Sequence, residues 1–325
     1  NFTTATDSYN TAVGYEAGHA VTTGVQNTLI GGLAGDALTT GGFSVAVGYE
    51  ALSTEDAHGN NVAVGYKALK TLNAGADGFN TAVGDHSGTS LTTGTYNTLI
   101  GAQSGDALTT GQENVAVGTA TLSADTQGRN SVAIGHSALE AQNFTTATES
   151  HNVAIGHNTA KAITTGLRNT IVGSIAGDAL TDADDNTVFG YNALTSDTLG
   201  SKTVAIGRSV LSSQNFTTAT DSYNTAVGYN AGGQITTGIQ NTLIGGLAGD
   251  ALTDADFNIA VGLQSLAVDT LGSKSIAIGT FALESQNFTT ATDSHNVAVG
   301  HSAGNDITTG VNSTLIGGLA GDAIT

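Results

Sequence analysis

The sequence lacks cysteine, proline, methionine and tryptophan altogether, and it has few basic residues. Without cysteine there can be no disulfide and no thiolate metal site, so burial, backbone ladders or partner chains must stabilise the fold. Acidic residues outnumber basic ones 27 to 8, and the formal net charge of -19 disfavours nucleic acid and acidic membrane surfaces as partners. No apolar run has the length of a membrane span, so we expect no membrane insertion of this segment.

The sequence does contain a short internal repeat. A core close to the form [N/S]-[T/V/I]-[small or L]-[V/I]-G occurs eighteen times along the 325 residues. Its glycines lie 17 residues apart, with a longer spacing of 19 or 21 after every fourth copy, so four copies form a larger unit of about 72 residues. Residues 1–325 are therefore predicted to form one continuous repeat array, a fragment of a longer fibre. The core glycines are Gly14, Gly31, Gly48, Gly65, Gly84, Gly101, Gly118, Gly135, Gly156, Gly173, Gly190, Gly207, Gly228, Gly245, Gly262, Gly279, Gly300 and Gly317.

Each core predicts a short β-strand, because its residues are β-branched or aliphatic and it lies between asparagine and glycine. The residue before the glycine is large and apolar, as in Val13, Ile30, Val47 and Val64, and we expect this row to form the core. The residue two before the glycine is usually alanine, and on a pleated strand it points to the opposite face. Because alanine allows close approach of another backbone, we interpret this second face as an intersubunit surface.

The predicted fold is all-β, a parallel β-roll or β-solenoid of about eighteen coils of 17 to 21 residues. One such coil buries only a few side chains. That burial is small beside the roughly 1–2 kcal/mol of backbone entropy lost per ordered residue. Several identical chains packed around an axis would bury the second strand face as well. We therefore expect the chain to reach its stable form as a multimer of itself.

Several cores resemble the head repeats of trimeric autotransporter adhesins: NSVAIG at 130–135, HNVAIG at 151–156 and SKSIAIG at 273–279. The stretch GYNALTSDTLGSKTVAIG at 190–207 is also similar to shaft repeats of phage tail fibres. The resemblance spans essentially the whole chain, although the coils here are longer than the usual repeat of the family. It implies a left-handed β-roll of three chains, an intertwined or side-by-side homotrimer on a cell surface or virion.

The same resemblance implies adhesion, with a host-surface receptor or a glycan as the partner. A purely structural filament or spacer, including a tail-fibre shaft that displays a distal binding domain, is the alternative, because both roles need a stiff rod. Catalysis is not predicted, since no nucleophile, base and orienting group recur together and no serine lies in a G-x-S-x-G elbow. His136 and His157 follow the core glycine in consecutive coils and could stack, as interface histidines or, alternatively, around a metal.

A D-x-D-x-N pattern recurs in register and is the only cofactor site that we predict. Its closely spaced oxygens are the ligands that Ca²⁺ prefers, while Asp and Asn are also common turn residues that cap their own backbone. The pattern can therefore be interpreted either as a calcium site or as a plain turn. The candidate ligands are Asp182, Asp184 and Asn186, and then Asp254, Asp256 and Asn258.

The longest coils carry four extra residues in a shared QNFTTAT stretch, which predicts a protruding loop. Its phenylalanine either presents an aromatic platform to a sugar or covers an open corner of the roll. The stretch is also an N-x-T sequon, which Asn1 and Asn312 share. The candidate contact residues are Asn143, Phe144, Thr145, Asn215, Phe216, Thr217, Asn287, Phe288 and Thr289.

Overall fold

The computed structural model describes residues 5–324, and this part of the chain is all-β, without helix. Its strands are two or three residues long, are joined by turns, and pair in parallel. The chain divides into two compact units, Asn1–Thr165 and Gly166–Thr325.

The first unit, described from residue 5, contains nine three-residue strands and one pair of two-residue strands. The three-residue strands are β1 (Thr11–Val13), β2 (Thr28–Ile30), β3 (Val45–Val47), β4 (Val62–Val64), β5 (Thr81–Val83), β6 (Thr98–Ile100), β7 (Val115–Val117), β9 (Val132–Ile134) and β11 (Val153–Ile155). The short pair is β8 (Gly128–Arg129) with β10 (Thr148–Glu149).

The second unit, described to residue 324, repeats this arrangement with two short pairs. Its three-residue strands are β12 (Thr170–Val172), β13 (Thr187–Phe189), β15 (Val204–Ile206), β17 (Thr225–Val227), β18 (Thr242–Ile244), β19 (Ile259–Val261), β21 (Ile276–Ile278), β23 (Val297–Val299) and β24 (Thr314–Ile316). The short pairs are β14 (Gly200–Ser201) with β16 (Thr220–Asp221), and β20 (Gly272–Ser273) with β22 (Thr292–Asp293).

Each three-residue strand pairs in register with the equivalent strand of a neighbouring coil, as Ala46 does with Ala63. Each unit is therefore a parallel β-solenoid of nine coils, and the prediction of about eighteen coils in an all-β solenoid is confirmed. One continuous array over residues 1–325 and a homotrimer stay predictions.

The two strand faces alternate as predicted, but their assignment to interior and exterior was wrong. Alanines two before the glycine, such as Ala46 and Ala63, are fully buried inside the coil. Of the four predicted core residues, Val13 is 57% and Ile30 38% exposed, and Val47 and Val64 are half-buried on the outer side. The cause is the size of the side chains. A coil of about 17 residues encloses a narrow interior, so the small alanines point inward and the larger valines and isoleucines that follow them point outward.

In most coils a leucine or isoleucine from one of two positions helps to fill the interior, whereas the first coil of each larger unit has neither. In the third and fourth coils of each larger unit the inward strand residue is alanine or valine, and a buried leucine four residues after the core glycine fills the space, as Leu69 does beside Ala63. Leu99 is on the strand itself. In its own coil and in the preceding coil, the position four residues after the core glycine is glycine, namely Gly105 and Gly88. A Cβ on Gly105 or Gly88 would lie 2.9 or 2.8 Å from a methyl group of Leu99. This match explains why leucine appears on the strand only in the second coil of each larger unit.

A ladder of buried asparagines runs beside the strands. The backbone N–H of Asn114 donates to Oδ1 of Asn97 at 3.1 Å, and the amide of Asn97 donates to the carbonyl of Gly111 at 2.9 Å. Serine takes the same position as Ser44 and Ser131. The side chains thus satisfy backbone groups that the three-residue strands leave unpaired.

The turns are built from left-handed residues that are mostly not glycine. Phe43, Glu50 and Leu52 have φ of 58°, 54° and 52°, and the equivalent positions of other coils repeat these values. Their N–H groups donate to carbonyls of adjacent coils, as Leu52 does to Ala68 at 3.0 Å. Left-handed backbone costs roughly 1–2 kcal/mol per residue, and these inter-coil hydrogen bonds hold it in place.

Candidate functional site

The largest candidate surface is the outward face of the three-residue strands. We call the residues immediately before each core glycine the outer apolar row. In each unit they stack in register, as Ile134 does on Ile155 and Ile206 on Val227. The isoleucines are 36–40% exposed within the coil stacks, as in Ile155 and Ile244. A contiguous apolar row of partly exposed side chains along a sheet face is typical of a protein interaction surface.

Aromatic stacks lie along one side of this row, at the position after the core glycine. The rings of Tyr49 and Tyr66 stack at 5.8 Å between centroids. The predicted stacking of His136 on His157 is confirmed, with centroids 5.4 Å apart. In the second unit the guanidinium of Arg208 lies about 6 Å from the ring centroids of both Tyr191 and Tyr229.

A second set of exposed rings lies on the other side of the row, five residues before the core glycine. Phe79 and Tyr96 stack there at 5.3 Å with nearly parallel planes. Aromatic residues and arginine are enriched in protein interfaces, so both sides of the outer apolar row carry residue types that are typical of an interface.

The phenylalanines of the protruding loops are buried, which decides between the two interpretations of their role. Phe144 is only 6% exposed, and Phe216 and Phe288 are buried to the same extent. Phe216 covers the backbone of Gly200, where a Cβ would lie 2.8 Å from the ring. The phenylalanines therefore cover an open corner of the coil, and the interpretation of them as an aromatic platform for a sugar is wrong. Asn143 and Thr145 are exposed, as are Asn215, Thr217 and Thr289, while Asn287 is half-buried.

A buried polar network anchors each of these loops. In the first unit, Asp125 accepts hydrogen bonds from the backbone N–H of Phe144 at 3.1 Å and from Nε2 of Gln142 at 2.7 Å. Gln142 in turn accepts one from Asn152 at 3.0 Å. Asp197 and Asp269 make the same contacts with Gln214 and Gln286. Burial raises the pKa of Asp125 and of Asp269, because it penalises the charged carboxylate.

The D-x-D-x-N segments are not assembled as cation sites. Asn186 and Asn258 are fully buried members of the asparagine ladder, and their Oδ1 atoms accept from the backbone of Thr203 and Ser275 at 2.9 Å. Asp184 and Asp256 each accept from a backbone N–H of the preceding coil, Leu167 at 2.7 Å and Ile239 at 2.8 Å. Asp182 and Asp254 are exposed at the surface. The structure therefore favours the plain-turn interpretation, because the asparagine oxygens face inward.

The sequons differ in their accessibility. Asn143, Asn215 and Asn312 are exposed, and Asn1 lies outside the described residues. Oδ1 of Asn143 accepts a hydrogen bond from the hydroxyl of Thr126 at 3.2 Å.

One cluster of potential metal ligands was not predicted from the sequence. Glu55, Asp56 and His58 place one ligand atom each within 4.8 Å of one another. The signal was present, because E-D-A-H stands where the other larger units have D-T-x-G. Comparing the four-coil units position by position would have found it.

No protein-family model matches the sequence, and no curated protein matches it. Across residues 5–324 the structure has no helix that could cross a membrane.

Proposed function

We propose that this chain is a non-catalytic rod segment of a homotrimeric extracellular or virion fibre that attaches to a host or other surface. The observation that carries the proposal is the outer apolar row, whose isoleucines are 36–40% exposed and whose valines are half-buried within the coil stacks of each unit. Fully burying an exposed isoleucine or valine side chain stabilises an assembly by about 1.5–3 kcal/mol, and covering the exposed 36–40% of each isoleucine contributes a fraction of that per coil. A row repeated in every coil adds these fractions together and therefore favours self-association.

A second copy of the chain is the occupant that fits this surface best. Within each unit the row repeats with the coil period, so an identical row on another chain can match it coil by coil. The stacks beside it, such as Tyr49 with Tyr66, add rings that become buried on association. The number three comes from the resemblance of the cores to trimeric surface fibres.

The exposed polar tips of the loops are the proposed contacts with the attachment surface. Asn143, Thr145 and Thr146 of the first unit are exposed, and Asn215 and Thr217 present the same groups in the second. Amide and hydroxyl groups on a rigidly anchored loop can hydrogen-bond to the hydroxyls of a glycan.

Attachment can be tested with the purified chain on an array of bacterial and host glycans and on intact cells. We expect retention that falls when Thr145, Thr217 and Thr289 are all changed to alanine, with the fold kept. The matched control changes Thr22, Thr92 and Thr236, which are exposed turn threonines outside the loops. Absence of binding by a well-folded trimer would contradict the adhesive role and favour the alternative, a structural spacer that displays another domain.

A further inference from the structure

One turn of the first unit departs from the pattern of its equivalents. At the seventh to tenth positions after the third core glycine, three of the larger units read Asp-Thr-x-Gly, at 125–128, 197–200 and 269–272. The first reads Glu55-Asp56-Ala57-His58. In the following coil, Leu72 replaces the glutamine that elsewhere donates to the buried aspartate. Four changes therefore coincide around one carboxylate.

These changes leave the carboxylate of Glu55 with fewer donors than its equivalents have. It is fully buried and accepts hydrogen bonds only from backbone groups, the N–H of His58 and of Ala74, both at 3.2 Å. Asp125 accepts from two backbone N–H groups and also from Gln142. Leu72 has no polar atom, so it cannot donate to Glu55.

The side chain of His58 lies beside this carboxylate because of its position in the coil. At the equivalent Gly128, a Cβ would lie 2.1 Å from Oδ2 of Asp125, so a side chain at this position projects onto the acid. Nδ1 of His58 is 3.7 Å from Oε1 of Glu55. This nitrogen is buried and makes no hydrogen bond.

We propose that Glu55, Asp56 and His58 form a binding site for a divalent transition metal ion, with Zn²⁺ as the representative ion. Nδ1 of His58, Oε1 of Glu55 and a carboxylate oxygen of Asp56 are the three protein ligands, and water completes the tetrahedron. Two atoms bound to one zinc ion at about 2.0–2.2 Å each are at most about 4.4 Å apart, which the 3.7 Å separation of Nδ1 and Oε1 satisfies. The carboxylate oxygen of Asp56 lies within 4.8 Å of the other two ligand atoms, and a small rotation of this exposed side chain brings it within the limit.

The chemistry of the donors selects this class of ion over calcium. Calcium takes six to eight oxygen ligands, whereas one imidazole with two carboxylates suits Zn²⁺ and its neighbours in the first transition row. Glu55 is fully buried, and burial penalises the charge of its carboxylate. A bound dication would offset this cost by placing positive charge beside the buried oxygen.

The test is a calorimetric titration of the folded 325-residue chain with zinc chloride alone, followed by metal analysis after dialysis. We expect one tightly held zinc ion per chain. His58→Gly restores the residue found at Gly128, Gly200 and Gly272, so the coil should fold normally while zinc affinity falls at least tenfold. Asp56→Thr restores the residue found at Thr126 and should also weaken binding.

The matched control is His157→Ala, which removes one of the stacked histidines and should leave the tight site intact. A zinc-induced shift of the ¹⁵N resonance of Nδ1 of His58, rather than Nε2, would report the proposed ligand directly. The proposal is overturned if the wild-type chain binds no zinc, or if both His58→Gly and Asp56→Thr bind it with unchanged affinity.

Discussion

Gln142 donates a hydrogen bond from Nε2 to the buried carboxylate of Asp125 at 2.7 Å. The two residues occupy the same inward position of consecutive coils, and the pair recurs as Gln214 with Asp197 and Gln286 with Asp269. At that position most other coils place leucine or isoleucine, such as Leu108 and Ile163. The polar pair therefore occurs where the longest coils are, and its hydrogen bonds hold the base of each protruding loop against the solenoid interior.

Burial of Asp125 and Asp269 gives the fold a defined pH dependence. Their folded-state pKa values are raised, so the stability that these groups contribute is fully present below their unfolded pKa, near 3.9. That contribution is lost as the pH rises through the folded pKa. The double variant Asp125→Asn/Asp269→Asn should therefore lose less urea stability than the wild type between about pH 4 and neutral pH.

The control for this pH experiment is Glu113→Gln, which removes an exposed carboxylate of the same unit as Asp125. Its pH profile should run parallel to that of the wild type. A double variant with an unchanged slope would show that the buried aspartates do not set the pH dependence.

Leucine fills the interior either from the strand, as Leu99 does, or from four residues after the core glycine, as Leu69 does. We therefore predict that substitutions at these two positions compensate for each other. Leu99→Ala should reduce the free energy of unfolding by about 2–5 kcal/mol, because it leaves a cavity beside Gly88 and Gly105. The double variant Leu99→Ala/Gly105→Leu recreates the combination of Ala63 with Leu69 and should recover part of the loss. Urea unfolding followed by circular dichroism measures both changes.

Gly105→Leu alone is the control for this pair. Leucine is accommodated at left-handed φ at the equivalent Leu69, where φ is 49°, so the backbone conformation is not the obstacle. The obstacles are methyl groups of Leu108 and Leu99, which lie 2.8 and 2.9 Å from a Cβ placed on Gly105. If the double variant is no more stable than Leu99→Ala, size matching does not determine the interior.

The architecture could be predicted from the sequence because it depends on features that recur in every coil. Period, strand cores and alternation of faces are properties of the backbone pattern, and all three are confirmed. The interior face could not be chosen in this way, since Val47 and Ala46 are both apolar. The choice depends on Leu52, which comes from another part of the coil and needs a small partner.

The candidate sites were harder to predict because they depend on the direction of single side chains. Asn186 and Asn258 have the composition of calcium ligands, yet they point inward and bind backbone groups. Phe144 was compatible with both a platform and a seal, and only its burial separates them. At such positions residue type alone leaves the orientation undetermined.

Sedimentation equilibrium of the purified chain tests the central claim most directly, because it measures the mass of the assembly without a shape assumption. We expect a mass of three chains for the wild type. Ile100→Lys/Ile206→Lys/Ile278→Lys should give folded single chains, because each change places a charge on the outer apolar row. Thr146→Lys/Thr218→Lys/Thr290→Lys adds the same charge to the exposed loops and should stay trimeric. A well-folded wild-type monomer would contradict the account.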